Sequence, residues 1–264
     1  PDAAVSYLKA TANYQLERYR EALKWAIQVE DIVKAESREM KENWLYLQVV
    51  LYSELKDIDN VIRVLERMVV DFPKKQYWMH LAGVYTEKEW DDQALSAYYA
   101  IYAQGLFEKD SELVMLAQRL LNADVPFEAA TVLEQGLKAE IVEASEKNYR
   151  LLATCYTVAQ EMNKAIDSWE LASKYAEDGD IYYRLAQALA QQDRHQEAIA
   201  AYSKALEDDD LKSPSDAQFW LAISHMSLEN WDQASKAFRQ ASRLDDRIAK
   251  QARQYIRYIA GEKR

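Results

Sequence analysis

Apolar residues recur along this chain at three- and four-residue intervals, the spacing that places them on one face of an α-helix. Leu81 with Tyr85, Leu152 with Tyr156, Leu185 with Leu189 and Leu221 with His225 are such pairs. The stripes themselves repeat. A Leu-Ala pair is followed, thirteen residues after the Leu, by another Ala in five places: Leu81-Ala82 with Ala94, Leu116-Ala117 with Ala129, Leu152-Ala153 with Ala165, Leu185-Ala186 with Ala198, and Leu221-Ala222 with Ala234. Between copies the second Ala advances by 35, 36, 33 and 36 residues. Insertions therefore fall between units and never inside one, as a helix pair with fixed internal packing requires.

Each unit predicts two amphipathic helices. In the second, the anchoring Ala is followed four residues on by a large side chain (Tyr98, Leu133, Trp169, Tyr202, Phe238) and three further by Ile101, Gly136, Ala172, Ala205 or Ala241. Small residues let the two backbones approach, and large ones fill the groove between neighbouring pairs. The breaks are also legible. Pro126 suits the first turn of a second helix, Pro73 and Pro214 fall in inter-unit turns, and Gly105 and Gly136 suit helix C-caps. Ser215 with Gln218 has the form of a capping box.

The pattern resembles the tetratricopeptide repeat family, whose consensus runs Trp-x2-Leu-Gly-x2-Tyr, then Ala-x3-Phe, then Pro. Trp78, Leu81, Ala82, Tyr85, Ala94 and Tyr98 carry the best single match. Leu45, Tyr52, Val61, Leu65 and Pro73 form a weaker preceding copy, and Tyr19 with Ala22 a degenerate first one. The resemblance implies an all-α fold: a right-handed α-solenoid of antiparallel pairs, about seven repeats plus a capping helix. As a single domain over 1–264, its repeats would lie near 3–41, 42–74, 75–109, 110–145, 146–178, 179–214 and 215–246, with the cap over 247–264. Ile248, Ala252, Tyr255, Ile256 and Ile259 would face inward there, and Lys250, Arg253 and Arg257 would keep the end wet.

A narrower resemblance rests on Gln76–Tyr85, Gly179–Ala186 and Ala252–Ile259. These stretches look like repeat proteins of Gram-negative bacteria encoded beside TonB, ExbB and ExbD components. That likeness implies a periplasmic accessory of a TonB-dependent energy-transduction or transport system, with those components as possible partners. Without it the chain reads equally as cytoplasmic.

Composition agrees with helices: Gly 5 and Pro 4 leave little for strands and their turns. Hydrophobic residues at 49% supply a real core. A formal net charge of −11, with no basic run, argues against nucleic acid as a partner. No apolar stretch reaches the roughly 18 residues of a membrane span. No signal peptide is present, but the chain starts at Pro1 without Met, which reads as a processed or trimmed product.

Chemistry is sparse. Cys155, the one cysteine, can close no internal disulfide and reads as a small packed side chain. His80, His195 and His225 form no metal-binding spacing, and His225 reads as a packed residue. Asp208-Asp209-Asp210 lacks the alternating ligands and turn Gly of a calcium loop, and reads as a solvated acidic connection. Trp78 and Trp169 stand at repeat-core positions. No catalytic motif and no cofactor loop is found, so an enzyme is not expected and no cofactor is implied.

The chemistry that remains is binding. Positions two before each Leu of the Leu-Ala pair (Tyr46, Met79, Val114, Arg150, Tyr183, Phe219) and two after it (including Gln187 and Ile223) would line the concave wall, with Arg184 near Arg150. Such a wall suits an extended peptide or a partner helix, gripped by aromatic anchors. The lysine and asparagine clamp that the family's chaperone-tail binders use is missing there. The expected function is a non-catalytic protein-interaction scaffold; the alternative is the repeat region of a larger assembly factor or enzyme.

Overall fold

The computed structural model describes residues 2–175 and 178–262. They form helices alone, with no strand among the described residues. The chain divides into two compact units, Pro1–Glu108 and Lys109–Arg264. The first holds α1 (Ala3–Gln15), α2 (Tyr19–Ala35), α3 (Glu42–Glu54), α4 (Ile58–Asp71), α5 (Lys75–Glu87) and α6 (Asp91–Ala103). The second holds α7 (Asp110–Asn122), α8 (Pro126–Lys138), α9 (Glu146–Val158), α10 (Met162–Ser173), α11 (Gly179–Gln191), α12 (His195–Ala205), α13 (Pro214–Ser227), α14 (Trp231–Leu244) and α15 (Asp246–Glu262). In each unit a helix packs on the one before and the one after it, as an α-solenoid requires.

The alanine register is the reason the pairs close. All ten alanines of the five Leu-Ala…Ala copies are 0% exposed. A side chain of one carbon lets two backbones approach until the neighbours interdigitate. The large residues four positions on (Tyr98, Leu133, Trp169, Tyr202 and Phe238) are buried in the gaps. Fully burying a Leu such as Leu133 stabilises by roughly 1.5–3 kcal/mol.

Within each pair the turn is the same. One residue takes a left-handed conformation, with φ 59 at Glu89, 60 at Asp124, 62 at Gln160, 55 at Asp193 and 58 at Glu229. The next residue's amide then donates to the carbonyl five back: Trp90 to Tyr85 at 2.9 Å, Glu161 to Tyr156 at 2.9 Å, Arg194 to Leu189 at 3.0 Å. This satisfies a helix-end carbonyl and reverses the chain in a fixed number of residues. The fixed length of the turn accounts for the constant internal spacing of thirteen.

Two kinds of side-chain bond tie successive pairs. The Tyr85 hydroxyl donates to Glu66 of α4, and the Tyr156 hydroxyl to Glu134 of α8, each at 2.8 Å. Acidic residues in first turns grip the connection that follows: Asp110 accepts from the Glu143 amide and the Asn148 side chain, and Lys212 pairs with Asp180. At the far end, α15 buries Ala249, Ala252 and Ile259, and Tyr255 stacks on Phe238 with ring centroids 5.0 Å apart. Lys250, Arg253 and Arg257 stay exposed.

Three local expectations are corrected. Ser215 and Gln218 form no capping box, because α13 starts at Pro214 and puts Ser215 inside the first turn, buried. Pro214 is therefore not a turn residue; its fixed φ and missing N–H suit the first helical position. Gly136 does not cap α8 but lies within it, where an added Cβ would come 2.5 Å from Val142. Gly105 does end α6, in a left-handed conformation of φ 68.

Candidate functional site

In the second unit, α9, α11 and α13 are the first helices of three consecutive pairs. Each side chain arriving at their exposed wall is placed by the buried face behind it. On α9, Leu152 and Tyr156 turn inward, so Arg150, Thr154 and Thr157 turn out; on α11, Leu185 and Leu189 turn inward, so Tyr183, Arg184, Gln187 and Gln191 turn out.

Three adjoining clefts run along this wall. The first, of about 270 Å³, is lined by Arg150, Asp180, Tyr183, Arg184 and Lys212. The second, of about 420 Å³, lies over Trp169 between Thr154, Val158, Arg184 and Gln187. The third, of about 190 Å³, is bounded by Gln187, Gln191, His195, Tyr202, Trp220 and Ser224. Thr154, Trp169 and Arg184 line both of the first two, and Gln187 and Gln191 both of the last two, so the clefts make one groove.

The charges here are unequal in status. Arg150 is held by Glu146 and Asp178, each at 2.7 Å, and Lys212 by Asp180 at 2.6 Å. Arg184 has no acidic partner among the described residues. Its guanidinium donates to Gln187 at 3.1 Å and stands 5.9 Å from the Tyr183 ring centroid. Burial is the main cause that pushes the Tyr183 phenol above its ordinary value, with Asp216 adding to it.

The expected wall residues divide sharply. Tyr46 and Met79 belong to the first unit, where Tyr46 is 43% exposed and its ring lies 5.9 Å from that of Tyr77. Arg150, Tyr183, Arg184 and Ile223 come together in the groove of the second. Val114 and Phe219 are covered, at 7% and 6% exposed. Phe219 fails as a free anchor because its ring packs between Phe238, at 5.3 Å, and Tyr255, at 5.8 Å, inside the α13–α15 core. Its neighbour Trp220, 43% exposed, faces the third cleft instead.

The sequence pattern gives His195 and Tyr202 no place on the wall and does not single out Trp220 or Ser224. One signal was available: Ser224 occupies the slot that holds the buried Val84, Cys155 and Ala188 in three of the other four copies, the fourth having Arg119. A hydroxyl in an apolar slot is worth explaining. His225 is partly buried as expected, and desolvation lowers its imidazole's proton affinity. Burial pushes the Cys155 thiol up to about 12, which leaves it unreactive. The Asp208 run is only in part a solvated loop, since Asp208 accepts two backbone amides. Among the described residues, no acidic, histidine or cysteine cluster could hold a metal ion, and no helix is long and apolar enough to cross a membrane.

Comparison with known proteins follows this geometry. Tetratricopeptide repeat families match residues 179–210 and 216–244. No curated protein matches the chain in sequence. Among solved structures, MamA is similar at TM-score 0.54 and 22% identity, over 66% of this chain and 93% of that one. YrrB, described as a TPR protein with an unusual peptide-binding site, is similar at TM-score 0.55 and 15% identity, over 72% and 97%. The C-terminal part of a TPR repeat-containing protein from Cytophaga hutchinsonii gives TM-score 0.51 and 17% identity, over 91% and 95%. At these identities the likeness is one of fold. The chain is built on that fold and carries tetratricopeptide repeats at 179–210 and 216–244.

Proposed function

We propose that this chain is a non-catalytic scaffold that holds an extended segment of a partner protein in the groove of α9, α11 and α13. The observation that carries the reading is Arg184, a cation without an acidic partner among the described residues, in a chain of formal net charge −11, set between two clefts. A carboxylate on the bound segment would complete it. Gln187 and Gln191 offer amides to a peptide backbone, and Trp169 floors the second cleft with apolar surface. The peptide-binding site in YrrB's description is a precedent on this fold.

We further propose a periplasmic setting, in which the partner belongs to a TonB-type system; this rests on the likeness of Gln76–Tyr85, Gly179–Ala186 and Ala252–Ile259 to such accessories. The groove is tested by selecting ligands from a displayed peptide library. Arg184→Glu should weaken the selected peptides tenfold or more, about 1.4 kcal/mol, with unchanged helicity. Selected peptides indifferent to Arg184→Glu would move the site off this wall. The setting is tested by photo-crosslinking from position 183 in cells carrying TonB, ExbB and ExbD: adducts with none of the three would reject it.

A further inference from the structure

Ser224 is 1% exposed and its Oγ has no hydrogen-bond partner among the described residues. His195, across the same cleft of about 190 Å³, has an Nδ1 that is likewise buried and unpartnered. Two orphaned polar atoms in one small cavity are unusual, since buried polar groups are almost always satisfied. The remaining walls are mostly apolar: the rings of Tyr202 and Trp220, with Ile223 and Ala190.

The hydrogen-bonding characters of the two atoms are complementary. With its proton on Nε2, the nitrogen 3.6 Å from the Asp193 carboxylate, the His195 ring presents Nδ1 as an acceptor. The Ser224 hydroxyl can donate. An occupant that fits must therefore donate to one group and accept from the other. It must also fill an aromatic slot with apolar surface and be no larger than one side chain. A phenol does all three. A purely hydrocarbon side chain would leave both atoms unsatisfied.

We propose that this cleft is a subsite for a tyrosine side chain of the bound segment, its hydroxyl placed between His195 and Ser224 and its ring between Trp220 and Ile223. The inference rests on the peptide-groove reading and names what one part of the peptide must be. It adds to Arg184 a second recognition element, reached through Gln187 and Gln191, which line both neighbouring clefts.

The probes are N-acetyl-tyrosinamide and N-acetyl-phenylalaninamide, titrated into the whole chain and followed by amide and imidazole NMR shifts. The tyrosine probe should bind at least about tenfold more tightly than the phenylalanine one. It should shift Ser224, His195 and the Trp220 indole. Ser224→Ala should bring the two probes within about threefold while leaving the melting temperature unchanged or higher, since it removes an unpartnered hydroxyl. Equal affinity of the two probes for the unmodified protein, absence of shifts at 195 and 224, or unaltered discrimination in Ser224→Ala would each overturn the subsite. Those outcomes are separate from the groove itself: library peptides that lose affinity on Arg184→Glu but lack tyrosine would retain the groove and reject the subsite.

Discussion

The Asp208 carboxylate closes onto the start of α11: its Oδ2 accepts the Gly179 backbone N–H at 2.7 Å. Its Oδ1 accepts the Asp210 amide at 2.9 Å. The Gly179 amide is one of the donors that no helix can satisfy internally. These bonds, the one from Gly179 foremost, hold the Asp208 carboxyl below the usual carboxylate range. One acidic side chain thus joins the end of one pair to the beginning of its own first helix.

That closeness makes position 179 intolerant. A Cβ there would lie 2.7 Å from the Asp208 Cβ and 2.9 Å from the Ala205 carbonyl oxygen. Backbone cannot step aside as a flexible side chain can. Gly179→Ala should therefore lower stability by about 1–3 kcal/mol, read as an earlier urea midpoint. An unchanged midpoint would mean that the α11–α12 approach is looser than described.

The left-handed turn residues predict the opposite sign. Glu89 is exposed and takes φ 59, a conformation that costs a residue with a Cβ about 1 kcal/mol relative to glycine. Glu89→Gly should raise stability by about 0.5–1 kcal/mol, partly offset by the greater freedom of the unfolded chain. A fall in the melting temperature would show that the Glu89 side chain contributes more than its backbone costs.

Phe219 and Tyr183 separate core from wall. Phe219→Ala should cost about 3–5 kcal/mol, because three aromatic neighbours lose a buried partner. Tyr183→Ala should cost about 1 kcal/mol, since that ring is only partly covered. Similar losses for both in chemical denaturation would contradict this division.

Acid should loosen the inter-pair ties. Lys138 and then the Tyr156 hydroxyl hold the Glu134 carboxyl below its ordinary value. A group depressed in the folded state stabilises above its unfolded value, near 4.3, and that contribution vanishes as pH falls through the folded one. Melting temperature should drop between about pH 5 and pH 3. In Glu134→Gln the drop should be shallower; parallel curves for the two proteins would place the acid sensitivity in other carboxylates.

Much of this molecule is legible in its residues. The alanine spacing yields the pairs, because a position where two backbones touch admits almost nothing else. The turn residues escape detection: Glu89, Asp124 and Gln160 have no sequence signature, since the geometry is imposed by the packed helices on either side. Phe219 and Val114 depart from their expected place for a related reason. Their spacing puts them on the wall side of α13 and α7, yet burial depends on which neighbour covers that side, and for Phe219 it is Tyr255 of the final helix. The third cleft stays hidden because its significance lies in hydrogen bonds that are not made.

The packing of each helix chiefly on its chain neighbours has a kinetic consequence. Hardly any contact waits for distant segments to meet, so the entropy of closing long loops scarcely enters the barrier. Folding can begin at whichever pair forms first and spread outward from it. Opening should run the other way, from the outermost pairs inward. Amide hydrogens of α11 and α12 should accordingly outlast those of α15 in exchange, so the groove's central helix would be among the last parts of its unit to let go.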